Sequence, residues 1–101
     1  MAFNFIVRPE AEQDLSEAFH WYERRRTGLG HDFLLQVDAG FRFLERTPLV
    51  FPEIYRGIRR HLIKRFPFKI FYLVQETTVV ILAVIYGGRD PQWIRKRLAP
   101  T

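Results

Sequence analysis

The segment Thr78–Tyr86 (TVVILAVIY) constrains the fold of this chain more than any other part of the sequence. Most residues of the segment are β-branched, which favours a strand. In a strand, successive side chains point to opposite faces, and both faces of this one would be apolar. A strand that is apolar on both faces must be covered on each side, so we predict an interior strand in a layered domain. No apolar run reaches the roughly 18 residues that a membrane-spanning helix needs.

The remaining hydrophobic patterns predict a single domain over residues 1–101. The predicted elements are a strand over 3–8, helices over 9–26 and 29–46, strands over 59–65, 68–75 and 78–86, and a helical turn or two over 91–98. Pro9 suits a first helical position, whereas Gly28 and Pro48 each end a helical pattern. We therefore predict an α+β fold of order β-α-α-β-β-β-α, in which a helical hairpin packs on a mainly antiparallel sheet. Pattern alone leaves the strand order open.

Charge is divided unequally between the two halves of the chain. Residues 1–50 carry six Arg and no Lys against eight acids, a net charge of −2, and residues 51–101 carry ten basic residues against three acids, a net charge of +7. Such a field speeds encounters with a polyanion or with an acidic protein segment. The alternative is a solvated cationic face that only aids solubility.

Few residues fit an enzyme site. The chain has no cysteine, its three histidines lack metal-ligand spacing, and Gly87-Gly88 is not followed by the Lys of a phosphate-binding loop. We therefore expect no metal and no cofactor. The missing cysteines and the absence of a signal pattern at the N-terminus favour a cytoplasmic protein.

A metal-free ribonuclease remains compatible with the basic strands. Cleavage through the RNA 2′-OH needs a base, cations that stabilise the charged phosphorane, and an acid. The residues that could supply these groups are Arg59, His61, Lys64, Arg65, Tyr86 and Arg89. Structural roles are the alternatives: His61 as a half-buried strand residue, Tyr86 as an aromatic at the core edge, and Arg89-Asp90 as an ion pair that pins the last helical turn.

Three ordered motifs resemble the RelE/ParE family of bacterial toxins. The stretch RRHLIKRFPFKIFY, residues 59–72, is similar to the family's "RR…(K/R)RFP(Y/F)…I(F/Y)Y" pattern. The stretch VVILAVIYGGRDPQW, residues 79–93, is similar to "VVILAVxHGRRDPxxW", and RPEAEQDL, residues 8–15, to "xPEAExDL". The likeness is colinear over nearly the whole chain.

The resemblance implies a cytoplasmic toxin that a partly disordered, acidic antitoxin wraps and neutralises in a hetero-oligomer. In the family that complex commonly represses its own operon, so operator DNA is reached through the antitoxin. RelE-like members cut mRNA on the ribosome, whereas ParE-like members inhibit DNA gyrase without hydrolysis. The exposed apolar residues of the helical hairpin and the strand 59–65 are expected to form the antitoxin-binding surface.

The sequence departs from the family pattern at two positions: Tyr86 replaces the usual His, and Gly88 replaces the first Arg of a pair. These changes and the long second helix favour the ParE-like branch. The resemblance then makes Arg59, Arg60, Arg65, Tyr86 and Arg89 the candidate target-binding residues. The alternatives are a ribosome-dependent endoribonuclease that uses Arg59, Lys64, Arg65, Tyr86 and Arg89, and an inactive or non-toxic binding module.

Overall fold

The computed structural model describes residues 3–99, which form a five-stranded sheet with three helices. The elements in chain order are β1 Asn4–Val7, α1 Pro9–Arg25, α2 Leu29–Arg46, β2 Glu53–Tyr55, β3 Ile58–Leu62, β4 Phe68–Gln75, β5 Thr78–Tyr86 and α3 Pro91–Leu98. The strand order is β1-β5-β4-β3-β2, with β1 parallel to β5 and the other pairs antiparallel. The predicted α+β class, helical hairpin and mainly antiparallel sheet are confirmed.

The apolar segment Thr78–Tyr86 is an interior strand, as predicted, because β5 lies between β1 and β4. On one face Val79 and Ile81 join the core under the helical hairpin, and on the other Ala83 and Ile85 pack near α3. The pairing register shifts between Phe71 and Tyr72, which leaves Leu82 as an extra residue in β5. This β-bulge reverses the alternation of side chains beyond it, so the end of β5 presents different side chains to the hairpin than a regular strand would.

The helical hairpin is held at its turn by one carboxylate. Glu23 accepts the backbone N–H groups of Gly28 and Gly30, each at 2.9 Å, and so satisfies two donors at the start of α2. Hydrogen bonding, first from Gly28, lowers the pKa of Glu23. Gly28 has a φ of 92°, a left-handed conformation that glycine adopts at little cost.

The structure differs from the sequence prediction around the basic strands. The prediction lacked a strand at Glu53–Tyr55, which is only three residues long and follows Pro52. The strand predicted over 59–65 spans Ile58–Leu62 and ends early because the chain turns toward β4, with Arg65 at a φ of 70°. No helix within residues 3–99 is long and apolar enough to cross a membrane.

Candidate functional site

Arg59 lies on the hairpin side of β3, where its guanidinium is bound by the chain itself. It donates to the carbonyl oxygens of Leu49 and Phe51, and it lies 3.6 Å from a carboxylate oxygen of Glu53. Its side chain is only 17% exposed. These contacts fix the connection between α2 and β2, so the geometry gives Arg59 a structural position.

The same connection is anchored by Tyr72, whose buried hydroxyl donates to the carbonyl oxygen of Pro48 at 2.7 Å. Burial raises the pKa of Tyr72 to about 12, although the charge of Arg59 acts in the opposite direction. Tyr72 and Arg59 are cross-strand partners on β4 and β3, so one pair holds both ends of the connection.

The other cations of the predicted site do not converge. Arg60 follows Arg59 on β3 and therefore points to the opposite face of the sheet, where it is exposed. Arg65 lies in the turn after β3 and reaches Asp32 at 3.8 Å, and that carboxylate also lies 3.7 Å from Arg26. Within residues 3–99, Arg60 and Lys64 have no ion-pair partner.

His61 is packed between aromatic rings on the hairpin side of the sheet. Its ring centroid lies 5.6 Å from that of Phe43, with which it is stacked, and 5.0 Å from that of Phe51. Burial, and then the charge of Lys64, lowers the pKa of His61 below its ordinary value. The half-buried strand position that we weighed for His61 is the one that it occupies.

Tyr86 and Arg89 do share a site. They line a cleft of about 810 Å³ between α1 and α3, whose floor is the end of β5. The aromatic side chains of this cleft include Trp21, Tyr22, Phe68, Tyr86 and Trp93. Because the bulge at Leu82 reverses the alternation of β5, Tyr86 lies on the hairpin side, with its ring centroid 6.3 Å from that of Phe68.

Arg89 and Asp90 have separate roles at the start of α3. The guanidinium of Arg89 lies over the ring of Trp93, 4.3 Å from its centroid. Asp90 caps the helix, because its carboxylate accepts the backbone N–H of Gln92 at 3.2 Å. The suggested ion pair between Arg89 and Asp90 does not form within the described chain, since Asp90 is used as the cap.

An ion pair between a buried carboxylate and a partly buried arginine, which the sequence reasoning missed, lies at the floor of the cleft. The carboxylate of Asp14 on α1 binds both terminal nitrogens of Arg97 on α3, at 3.0 and 2.8 Å, and accepts the backbone N–H of Val84 at 3.0 Å. The signal in the sequence was an acid on the apolar stripe of α1, three residues after Ala11 and four before Ala18.

The cleft therefore contains only some of the residues that the sequence analysis proposed for a site. Tyr86 and Arg89 line it, whereas Arg59, Arg60, Lys64 and Arg65 do not. Trp21, Tyr22 and Trp93 were missed because a sequence does not show which aromatic side chains will line a cleft. No group of three or more His, Cys, Asp or Glu residues in the part of the chain from 3 to 99 could hold a metal ion.

This fold defines a class of protein. A helical hairpin on one face of a five-stranded sheet, with a short helix on the other, is the architecture of the RelE/ParE superfamily of toxins. More narrowly, the family model of the ParE toxin of the type II toxin–antitoxin system parDE matches residues 5–91. The chain belongs to this family.

Solved structures agree with that assignment at the level of the fold. A structure from the chromosomal ParDE toxin–antitoxin system of P. aeruginosa has a TM-score of 0.76 at 16% identity, covering 84% of this chain and 96% of that one. The toxin–antitoxin complex RelBE2 from Mycobacterium tuberculosis has a TM-score of 0.63 at 24% identity, covering 85% of this chain and 99% of that one. A search of curated protein sequences gave no match.

Proposed function

We propose that this protein is the toxin of a type II toxin–antitoxin pair, and that it arrests growth by binding and inhibiting DNA gyrase. The observation that carries the proposal is the match of residues 5–91 to the ParE toxin family. On this proposal the protein acts in the cytoplasm through a protein–protein contact and catalyses no reaction.

The distribution of the cations supports a binding protein over a ribonuclease. General acid–base cleavage of RNA requires the base, the acid and the phosphate-binding cations to surround one scissile bond. In this chain Arg59 is engaged by backbone carbonyls, and Lys64 and Arg65 lie outside the cleft that holds Tyr86 and Arg89. The ribosome-dependent endoribonuclease is therefore the less supported of the two activities.

The partner that neutralises the toxin is, on this proposal, an acidic and amphipathic antitoxin that lies on the helical hairpin and β3. Leu35, Ala39 and Phe43 are exposed along α2 at intervals of four residues, which places them on one outer stripe. The stripe continues to β3, because Phe43 stacks on His61. Lys64 is exposed two residues after the end of β3, so a cation follows the strand that carries His61. Any contact with operator DNA would then be made through the antitoxin.

Two purified reactions test the proposed activity: gyrase supercoiling of plasmid DNA, and mRNA cleavage on translating ribosomes. We expect supercoiling to fail while the mRNA remains intact. Intact supercoiling at high excess of the protein would refute gyrase as the target, and cut mRNA would replace the binding protein by an enzyme. Expression without antitoxin separates a toxin from an inactive module, because only a toxin stops growth.

A further inference from the structure

Both tryptophans of the chain line the cleft between α1 and α3, one on each wall. Trp21 on α1 is 44% exposed, Trp93 on α3 is 37% exposed, and Tyr86 between them is 49% exposed. Large rings that stay open to water in a concave site are apolar area that a partner can bury. Trp, Tyr and Arg are also the residues that most often dominate the binding energy of protein interfaces.

Each tryptophan already has an arginine over one face. The guanidinium of Arg25 lies 3.1 Å from the centroid of the Trp21 ring, and that of Arg89 lies 4.3 Å from the centroid of Trp93. These cation–π contacts restrain the orientation of both rings. The walls are therefore partly ordered before any partner arrives, which lowers the entropic cost of binding.

The charges that line the cleft nearly balance, although the chain as a whole carries +5. Asp14 is paired with Arg97 and Asp90 caps α3, which leaves Glu17 and Arg89 as the remaining charged side chains. An aromatic cleft of this kind complements an uncharged apolar group. It offers little to the repeated phosphates of a nucleic acid, which need clustered cations.

We propose that the protein binds its target protein at this cleft, which receives a bulky apolar side chain from a segment of the target. Arg89, at the rim, is placed to pair with a carboxylate next to that side chain. The inference rests on the proposed function, because it takes gyrase as the target. It gives the toxin two separate surfaces: this cleft for the target, and the outer stripe of α2 for the antitoxin.

Two variants test the cleft directly. Trp21→Ala and Trp93→Ala each remove one ring from one wall, and each should raise the concentration needed for half-maximal inhibition of supercoiling by roughly tenfold or more. Ile6→Ala is the matched control, because it truncates a large exposed side chain on β1, outside the cleft. It should inhibit as the unchanged protein does. Far-UV circular dichroism and thermal midpoints verify that each variant is folded.

The outcomes separate this inference from the proposed function. Full inhibition by both folded tryptophan variants would overturn the cleft as the target site and leave gyrase as the target. No inhibition by the unchanged protein would overturn the proposed function, and this assignment with it. A ten-nucleotide single-stranded RNA should leave the tryptophan emission unchanged. Saturable quenching that disappears in Trp93→Ala would show that the cleft takes a nucleobase and would overturn the inference.

Discussion

Single residues decide how the cleft is built, and Asp14 is the clearest case. The strand β1 ends at Val7, opposite Ile81, so the edge of β5 beyond that point has lost its strand partner. Asp14 on α1 supplies the missing acceptor to the Val84 N–H and at the same time binds Arg97 of α3. Because no residue of α3 is fully buried, this carboxylate adds to the packing of Ile94 and Leu98 in holding α3 to the domain.

We expect Asp14→Ala to lower the free energy of unfolding by about 3 kcal/mol, because it leaves the Val84 N–H and the largely buried Arg97 without their partner. Asp14→Asn should cost less, since its amide oxygen can still accept from Val84. Urea denaturation measures both changes. The control is Asp38→Ala, which removes an equally close ion pair with Arg42, 2.9 Å long but exposed. It should cost under about 0.5 kcal/mol. Equal losses for the buried and exposed pairs would contradict this account.

His61 makes the stability of the fold depend on pH. Burial holds the pKa of His61 below its ordinary value of 6.5. As the pH falls through that value, the unfolded chain binds a proton that the folded chain does not, so the free energy of unfolding decreases. The decrease is complete once the pH lies below the lowered pKa, where both states are protonated.

Denaturation of the unchanged protein and of His61→Gln at pH 7.5 and pH 5.5 tests this effect. The unchanged protein should lose more stability between the two pH values than His61→Gln does, because glutamine does not titrate. A variant with the same pH dependence as the unchanged protein would show that His61 does not titrate differently in the folded and unfolded states.

The two departures from the family motif are coupled in space. A Cβ atom at Gly88 would lie 2.5 to 2.8 Å from atoms of the Tyr86 ring, closer than real contacts allow. The position of the Tyr86 ring in the cleft therefore requires glycine at 88. The sequence shows both changes, but their dependence on one another appears only when the turn after β5 brings the ring over the glycine.

At the scale of elements, hydrophobic periodicity predicted the helices and the long strands, because each of them has one or two clearly apolar faces. It could not predict β2, whose three residues carry no period, or the end of β3, which is set by the turn at Arg65. The bulge at Leu82 was equally hidden, since a uniformly apolar segment looks the same in either register. That bulge decides that Tyr86 enters the cleft.

Two glycines in α2 mark close approaches that differ in kind. A Cβ at Gly30 would lie 2.7 Å from the backbone oxygen of Phe19, whereas a Cβ at Gly40 would meet the flexible end of Ile70 at 2.9 Å. Alanine favours a helix by about 1 kcal/mol over glycine, which offsets part of either clash. We expect Gly30→Ala to lower the free energy of unfolding by about 2 kcal/mol and Gly40→Ala by under about 1 kcal/mol.

Thermal and urea unfolding of the two glycine variants give this comparison directly, with the parent protein as reference. The order of the two effects is the prediction, because the added Cβ meets backbone at Gly30 but only a side-chain end at Gly40. A larger loss of stability in Gly40→Ala would contradict this account. It would mean that the side chain of Ile70 cannot move aside, whereas α1 can shift away from α2 near Gly30.

At the scale of the molecule, the basic half of the sequence does not form a single site. The alternation of β3 sends Arg59 and Arg60 to opposite faces, and the turn after it carries Arg65 toward Asp32 on α2. The composition shows that this half of the chain is cationic. Whether its cationic side chains meet at one site depends on side-chain direction and on strand order, which the sequence alone left open. Tyr86 ends β5 and Arg89 comes three residues later, so their nearness in the sequence brings both to one cleft. The opposite wall of their cleft comes from a helix about 65 residues earlier in the chain.

At the scale of the whole molecule, apolar side chains are exposed on the outer stripe of α2, and on the proposed function an antitoxin bound there would stabilise the fold. An antitoxin that binds only the folded toxin stabilises it by about 2.7 kcal/mol when its free concentration is 100 times its dissociation constant. For a domain of about 100 residues, that corresponds to a rise in Tm of roughly 10 °C or more. Differential scanning fluorimetry with increasing antitoxin measures the rise.

A Leu35→Ala variant tests whether the antitoxin binds this stripe. The variant should keep the Tm of the free toxin, because the Leu35 side chain is exposed. It should reduce the rise in Tm that the antitoxin causes, because the apolar stripe is shortened. Ile6→Ala should leave the rise intact. A Tm unmoved by saturating antitoxin would refute the docking surface, and an equal rise in Leu35→Ala would place the antitoxin elsewhere on the toxin.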